Sequence, residues 1–291
     1  MDFRKKDEKE FHNALRHEYF GQRWTRELEK AIEENPLWVN MKYYSVERKS
    51  RDVVLKWLSQ NCRNKKGLDY CCGNGEDSLY IARNGAMQVF GIDISEVSIE
   101  NCKKRASKEN LTDNTEFLVM DAEALDFSDD TFDVITEYGS LHHLSIENAY
   151  SELARVVKHD GKIICNEALG HNSLINLYRK VTPRLRTKWE AKHIIRKKDL
   201  KLAGKYFNKV EMNFFHLATL AAVPFRKIRK FNTFLMLLEK IDQVLLRLPL
   251  LKWQAWQIVF VLSEPIKPQG RFIHNFDEKR DKINQKRRCS G

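Results

Sequence analysis

The six cysteines of this 291-residue chain form no CxxC pair, and no His/Cys cluster has the spacing of a zinc site. No metal centre is therefore expected. No apolar run approaches the ~18 residues that a spanning helix needs. The opening residues, MDFRKKDEKE, are charged and are not a secretion signal. Scattered thiols without such a signal point to a reducing, cytoplasmic setting. What remains is a chain long enough to bury one sizeable core, with or without a cap.

The stretch Gly67 to Asp93 organises the rest. Leu68 to Cys71 is a short apolar run that stops at Gly73-Asn74-Gly75. Two glycines there allow positive φ and let a ligand lie against the backbone. Glu76 to Arg83 reads as a helix stopped by Asn84-Gly85, and Gln88 to Ile92 reads as a second strand ending at Asp93. A carboxylate at that tip accepts both hydroxyls of a ribose. Glu76 and Asp77 follow the glycines at once. They would repel a pyrophosphate but tolerate a sulfonium or an ammonium group.

These residues resemble the first motif of the class I S-adenosylmethionine-dependent methyltransferases: Asp69, Gly73 and Gly75 match, and Cys71 stands where the family usually has its first glycine. The resemblance implies an α/β, doubly wound, mostly parallel seven-stranded sheet. It would carry N-terminal helices and a helical insertion before the last strand. It also implies S-adenosylmethionine as cofactor, held by Asp69, Cys71, Gly73, Gly75, Asp93, Ile94, Asp121, Ala122 and Glu137. In the family, the acidic residue at the third strand end, here Asp121, pairs with the adenine amino group.

Further strands are expected at Thr115 to Met120, Phe132 to Thr136 and Lys162 to Cys165, with a turn at His159-Asp160-Gly161. Alternating strands and helices at this spacing form a parallel sheet, and ligands bind outside its carboxyl ends. Asp93, Asp121, the Glu137–His143 loop and Glu167 all fall on that edge. A sixth strand is read at Phe207 to His216 and a seventh at Gln254 to Leu262. The chain divides into an N-terminal helical segment (1–65), the cofactor-binding core (66–170), a C-terminal part with a helical cap (171–263) and a basic tail expected to be mobile (264–291).

Charge is uneven. Residues 1–169 hold 24 Lys and Arg against 31 Asp and Glu; residues 170–291 hold 27 against 9. The basic half suits an acidic partner. The insertion 217–253 joins apolar stretches to Arg226, Lys227, Arg229 and Lys230. It reads either as a cap whose apolar face closes the substrate site or as a docking element for an anionic membrane surface.

Methyl transfer from a sulfonium needs alignment and exclusion of water, and a hydroxyl acceptor needs a base. His143 and, second, His142 lie where the family places substrate-facing residues. Both could equally serve only to fix the loop. The expected acceptor is a small or lipid-like molecule, by O-methylation. Thr136-Glu137-Tyr138-Gly139 does not match the Asn/Asp-Pro-Pro-aromatic string of many base methyltransferases, which disfavours nucleic acid. The rivals are an RNA or other macromolecular acceptor, and a non-catalytic adaptor on a degenerate core. The sequence does not give the oligomeric state.

Overall fold

The computed structural model describes residues 2–16 and 25–267. The basic tail beyond them, and the positions Tyr19, Phe20 and Trp24 read as part of the N-terminal helices, lie outside the described residues. The strands are Lys66–Tyr70 (β1), Gln88–Asp93 (β2), Thr115–Val119 (β3), Phe132–Tyr138 (β4), Val157–Ala168 (β5), Phe207–Phe215 (β6) and Gln257–Pro265 (β7). Helices Phe3–Leu15 (α1), Arg26–Glu34 (α2) and Arg48–Asn61 (α3) precede the sheet. Glu76–Arg83 (α4), Glu96–Lys108 (α5) and Ile146–Val156 (α6) alternate with its strands. Ser173–Val181 (α7), Glu190–His193 (α8) and Lys197–Ala203 (α9) lead to β6, and Phe231–Leu245 (α10) lies between β6 and β7.

The seven strands order as β3-β2-β1-β4-β5-β7-β6. Only β7 runs antiparallel to its neighbours β5 and β6. Strands covered on both faces read as near-continuous apolar runs. Leu68, Tyr70, Val89, Ile92 and Ile135 are fully buried accordingly. Each such side chain contributes about 1.5–3 kcal/mol by leaving water. Strand order reverses beside β1, so a crevice opens at the carboxyl ends of β1 and β4.

The turn expected at His159-Asp160-Gly161 is a bulge inside β5. Phe132 pairs with Val157, but Val134 already pairs with Lys162. The extra residues loop out, and Gly161 is where backbone and side chain crowd most. A Cβ there would lie 2.7 Å from Val157 Cγ2 and 2.9 Å from Phe132 O.

The insertion turns its two carboxylates, Glu239 and Asp242, inward. Arg48 makes a two-pronged pair with Glu239 on α10. The buried Asp242 carboxylate accepts from the backbone N–H groups of Leu217, Ala218 and Thr219, and from Thr219 Oγ1. Leu235 packs inside with Val46, Ala222, Val223 and Trp256. Leu237, Ile241, Val244 and Leu248, at helical spacing, face solvent instead.

Asp242→Ala strands several donors in a buried turn and is expected to cost about 2–3 kcal/mol of stability. Urea unfolding followed by circular dichroism measures it. A loss under about 0.5 kcal/mol would mean that the turn is anchored by its apolar contacts alone.

Candidate active site

The turn after β1 is built on left-handed backbone. Cys71, Gly73 and Gly75 have φ of 58°, 52° and 76°. Cys71 therefore takes a conformation that glycine adopts without penalty and a side-chain-bearing residue adopts at a cost of about 1–2 kcal/mol. A Cβ on Gly75 would lie 2.9 Å from Cys102 Sγ. The turn is fixed from the neighbouring strand: Gly73 N donates to Asp93 Oδ2 and Ser95 N to Asp93 Oδ1, both at 2.9 Å. Asp69 holds the start of α4 by accepting from Ser78 N at 2.8 Å and Ser78 Oγ at 2.6 Å. Burial, and then the nearby Asp77 carboxylate, push the Asp69 carboxyl up to about 7. Asp77 is itself paired with Arg51.

Three adjoining compartments meet at this edge, with Arg16 and Gly139 lining all of them. The first, about 80 Å³, is lined by Cys71, Asp93, Ile94, Asp121 and Ala122. The second, about 190 Å³, lies over the turn and is lined by Asp69, Cys71, Gly73 and Asn74, with the acidic Glu47, Glu76 and Asp77. The third, about 240 Å³, takes His142 and His143 on one side and Ile175, Tyr178 and Trp256 on another. Gly75 lines none of them and acts through the shape of the turn.

Glu137, expected among the cofactor residues, is placed apart from the others. It is fully buried and lines none of the three compartments. Its Oε1 accepts from Ser140 N at 2.5 Å and Ser140 Oγ at 2.8 Å, so it shapes the loop after β4. Burial, and then the Glu167 carboxylate, raise its pKa well above the ordinary range. None of residues 217–253 lines these compartments, although Ala222, Val223 and Leu235 pack in one cluster with Ile175 and Trp256 of the third.

Helix α1 forms the roof. Arg4, Glu8, His12 and Arg16, four residues apart on one face, line the first compartment together with Lys5. This four-residue spacing of charged side chains was not among the signals that the sequence offered for a site. Lys5 Nζ donates to Asp121 Oδ2 at 2.6 Å, Arg4 Nη1 reaches Glu123 Oε1 at 2.5 Å, and Lys9 pairs with Glu96. Asp121 is thus already engaged by a lysine where an adenine amino group is expected.

The histidines differ. His142 is buried, with Nδ1 2.7 Å from Glu167 Oε2. Burial, and then His143, pull its pKa down to about 3, so it is neutral. His143 Nδ1 lies 2.8 Å from Glu8 Oε2. Burial opposes its protonation, but the contact with Glu8 and the charge of Glu190 win and raise its pKa above the ordinary value. His12 stays neutral through burial and the nearby His143. The donor atoms of Glu8, His12 and His143 lie within 4.8 Å of one another, close enough to share a divalent cation. Glu8 and His12 are one helical turn apart, but His143 is remote in sequence, so the trio as a whole gives no spacing signal.

Comparison with known proteins fits this geometry. Residues 68–161 match a family described as a methyltransferase domain. The chain carries a class I S-adenosylmethionine-dependent methyltransferase domain. It is 35% identical over 103 residues to 27-O-demethylrifamycin SV methyltransferase of Amycolatopsis mediterranei (strain S699), which covers 35% of this chain and 38% of that protein. It is 37% identical over 110 residues to a ubiquinone/menaquinone biosynthesis C-methyltransferase of Rickettsia massiliae (strain Mtu5), 36% of this chain and 44% of that one. The chain therefore matches less than half the length of these curated relatives. Geranyl diphosphate C-methyltransferase from Streptomyces coelicolor A3(2) shares the fold at 11% identity, with a TM-score of 0.59 over 91% of this chain and 99% of that one.

S-adenosylmethionine is the cofactor of the domain. The residues present fit it. The left-handed turn leaves backbone open to a ligand, Asp93 keeps lone pairs beyond the two N–H groups it accepts, and the acidic second compartment suits an ammonium group.

The ionic roof makes α1 pH-sensitive. His143 has a raised folded pKa, so its contribution is complete below about 6.5 and is lost as pH rises through the folded value. Glu8 and Glu123, despite burial, are lowered by His143 and Arg4 respectively; their contributions are complete above about 4.5 and lost as pH falls. Amide protection factors in α1, with the intrinsic pH dependence of exchange divided out, are expected to be highest between those limits and to fall at higher pH. In Glu8→Gln the His143 imidazole should titrate lower, read by NMR. An unchanged His143 titration would remove Glu8 as its partner.

Proposed function

We propose that the chain transfers a methyl group from S-adenosylmethionine to a hydroxyl of a small or amphiphilic acceptor, with His143 as general base. The carrying observation is that His143 lines both the first compartment, which holds Asp93 and Asp121, and the larger third compartment. A group at that junction touches donor and acceptor alike. S-adenosylmethionine, when bound, supplies a methyl group activated on a sulfonium. Asp93 takes the ribose hydroxyls, and the turn from Cys71 to Gly75 follows the rest of the cofactor. His143 takes the proton of the acceptor hydroxyl, and the Glu8 carboxylate 2.8 Å away stabilises the imidazolium that results. Helix α1 keeps water from the reacting atoms.

A membrane surface as the source of the acceptor has its own support. Leu237, Ile241, Val244, Leu248 and Leu250 present exposed apolar surface on the insertion, beside Arg229 and Lys230. No described helix is long and apolar enough to cross a membrane, so such contact would be peripheral.

Asp93→Ala is expected to weaken S-adenosylmethionine binding by about 2–4 kcal/mol in calorimetry. His143→Asn should leave that affinity unchanged and lower turnover about 10²–10⁴-fold, measured as labelled methyl entering the organic phase of a cell extract. Wild-type turnover should rise with pH through the raised His143 pKa. Equal turnover in His143→Asn would sink the base assignment. Sedimentation with anionic phospholipid vesicles, lost in the pair Leu237→Ser and Ile241→Ser, checks the membrane surface.

A further inference from the structure

The third compartment combines apolar and cationic lining. Met41, Ile175, Leu185, Ile194 and Trp256 line it together with Arg179 and Arg186. Glu190 is the one carboxylate among its lining residues, and it lies 3.6 Å from Arg186 Nε. Arg186 spends Nη1 on the carbonyls of Arg179 and Thr182, at 2.9 and 2.6 Å. That ties the guanidinium to the end of α7 and beside Arg179. Arg179 donates from Nη1 to Leu169 O at 3.2 Å and to Asn176 Oδ1 at 3.1 Å. No carboxylate of the described residues forms an ion pair with it.

Glu190 attracts both guanidinium groups, but one carboxylate against two leaves the pair net positive, and a guanidinium taken from water beside a second one without full counter-charge is costly. The loss of solvent, and then Arg186, pull the Arg179 guanidinium down to about 10. A fold gains nothing from that pair by itself. An oxyanion placed against it would be held by charge-assisted, two-pronged hydrogen bonds.

We propose that the acceptor carries an anionic oxygen headgroup, a carboxylate or a phosphate, which Arg179 takes with Arg186 behind it, while its apolar body lies against Ile175 and Trp256. This rests on the methyltransferase reading for its other end, the methyl-accepting group directed toward His143. A neutral amphiphile would cover the apolar lining but leave the two guanidinium groups with Glu190 as their one carboxylate.

Calorimetry of the full chain with hexyl phosphate, hexanoate and 1-hexanol tests it. At least one anion should bind about tenfold or more tightly than the alcohol, and the tighter of the two identifies the headgroup. Arg179→Gln should abolish that preference, Arg179→Lys should restore part of it, and S-adenosylmethionine affinity should stay within about twofold in both. Equal binding of alcohol and anions, or a preference that survives in Arg179→Gln, overturns the proposal. If Arg179→Gln does not fold, judged by thermal melting, the wild-type ranking of the three probes decides. Anion preference in a protein that does not bind S-adenosylmethionine would leave this site standing and remove the methyltransferase reading.

Discussion

The carboxylate of Asp93 joins the two strands on which the cleft depends. One oxygen accepts from Gly73 N in the turn after β1, and the other from Ser95 N at the start of α5. The turn is left-handed at three residues and has no regular hydrogen-bond ladder of its own to hold it. A short, charge-assisted tie from the neighbouring strand tip supplies the constraint. Asp69 does the same from beneath, through Ser78. With both ends of the turn fixed, its backbone stays exposed to the crevice at the strand-order reversal, where a nucleoside fits.

Above that floor lies a roof held largely by ions, with Leu15 at its end packed against the cluster of Leu28, Ala31, Ile32 and Trp38. Phe3 is largely exposed, while Glu8, on the inward face of α1, is buried. The reason is the surface that α1 covers: Asp121, Glu123, Glu96 and His143 offer charge, and apolar side chains would leave them unpaired. Pairs of this kind are released by protonation change more readily than a packed core. A cover so built can respond to what binds beneath it. The insertion follows the same inversion, with Glu239 and Asp242 inside and an apolar stripe outside.

The sheet was legible in the sequence because its signals are local. The helix read at Glu76 to Arg83 is found at those residues, since a glycine turn, two acidic first-turn residues and an Asn-Gly stop all act within a few positions. Ser95 caps α5 from one position before it, accepting from Ser98 N. The bulge in β5 was read as a turn because glycine after two polar residues gives the same local signal in either case. Whether such residues end a strand or loop out of it is settled by the partner strand. Glu137 was placed with the cofactor through the family resemblance; β4 continues past it to Tyr138, and its carboxylate accepts from Ser140 in the loop that follows.

The sequence by itself determined the fold class, the glycine turn, and the acidic strand tips Asp93 and Asp121, because each is written within one βαβ unit. Tertiary structure alone decided which distant residues meet them. Arg4 to Arg16 come from the first helix, His143 from the loop after β4, and Arg179 and Arg186 from the segment after β5. No local periodicity encodes those meetings. They follow from how the helices close over the sheet edge, where buried charges must find one another or a ligand.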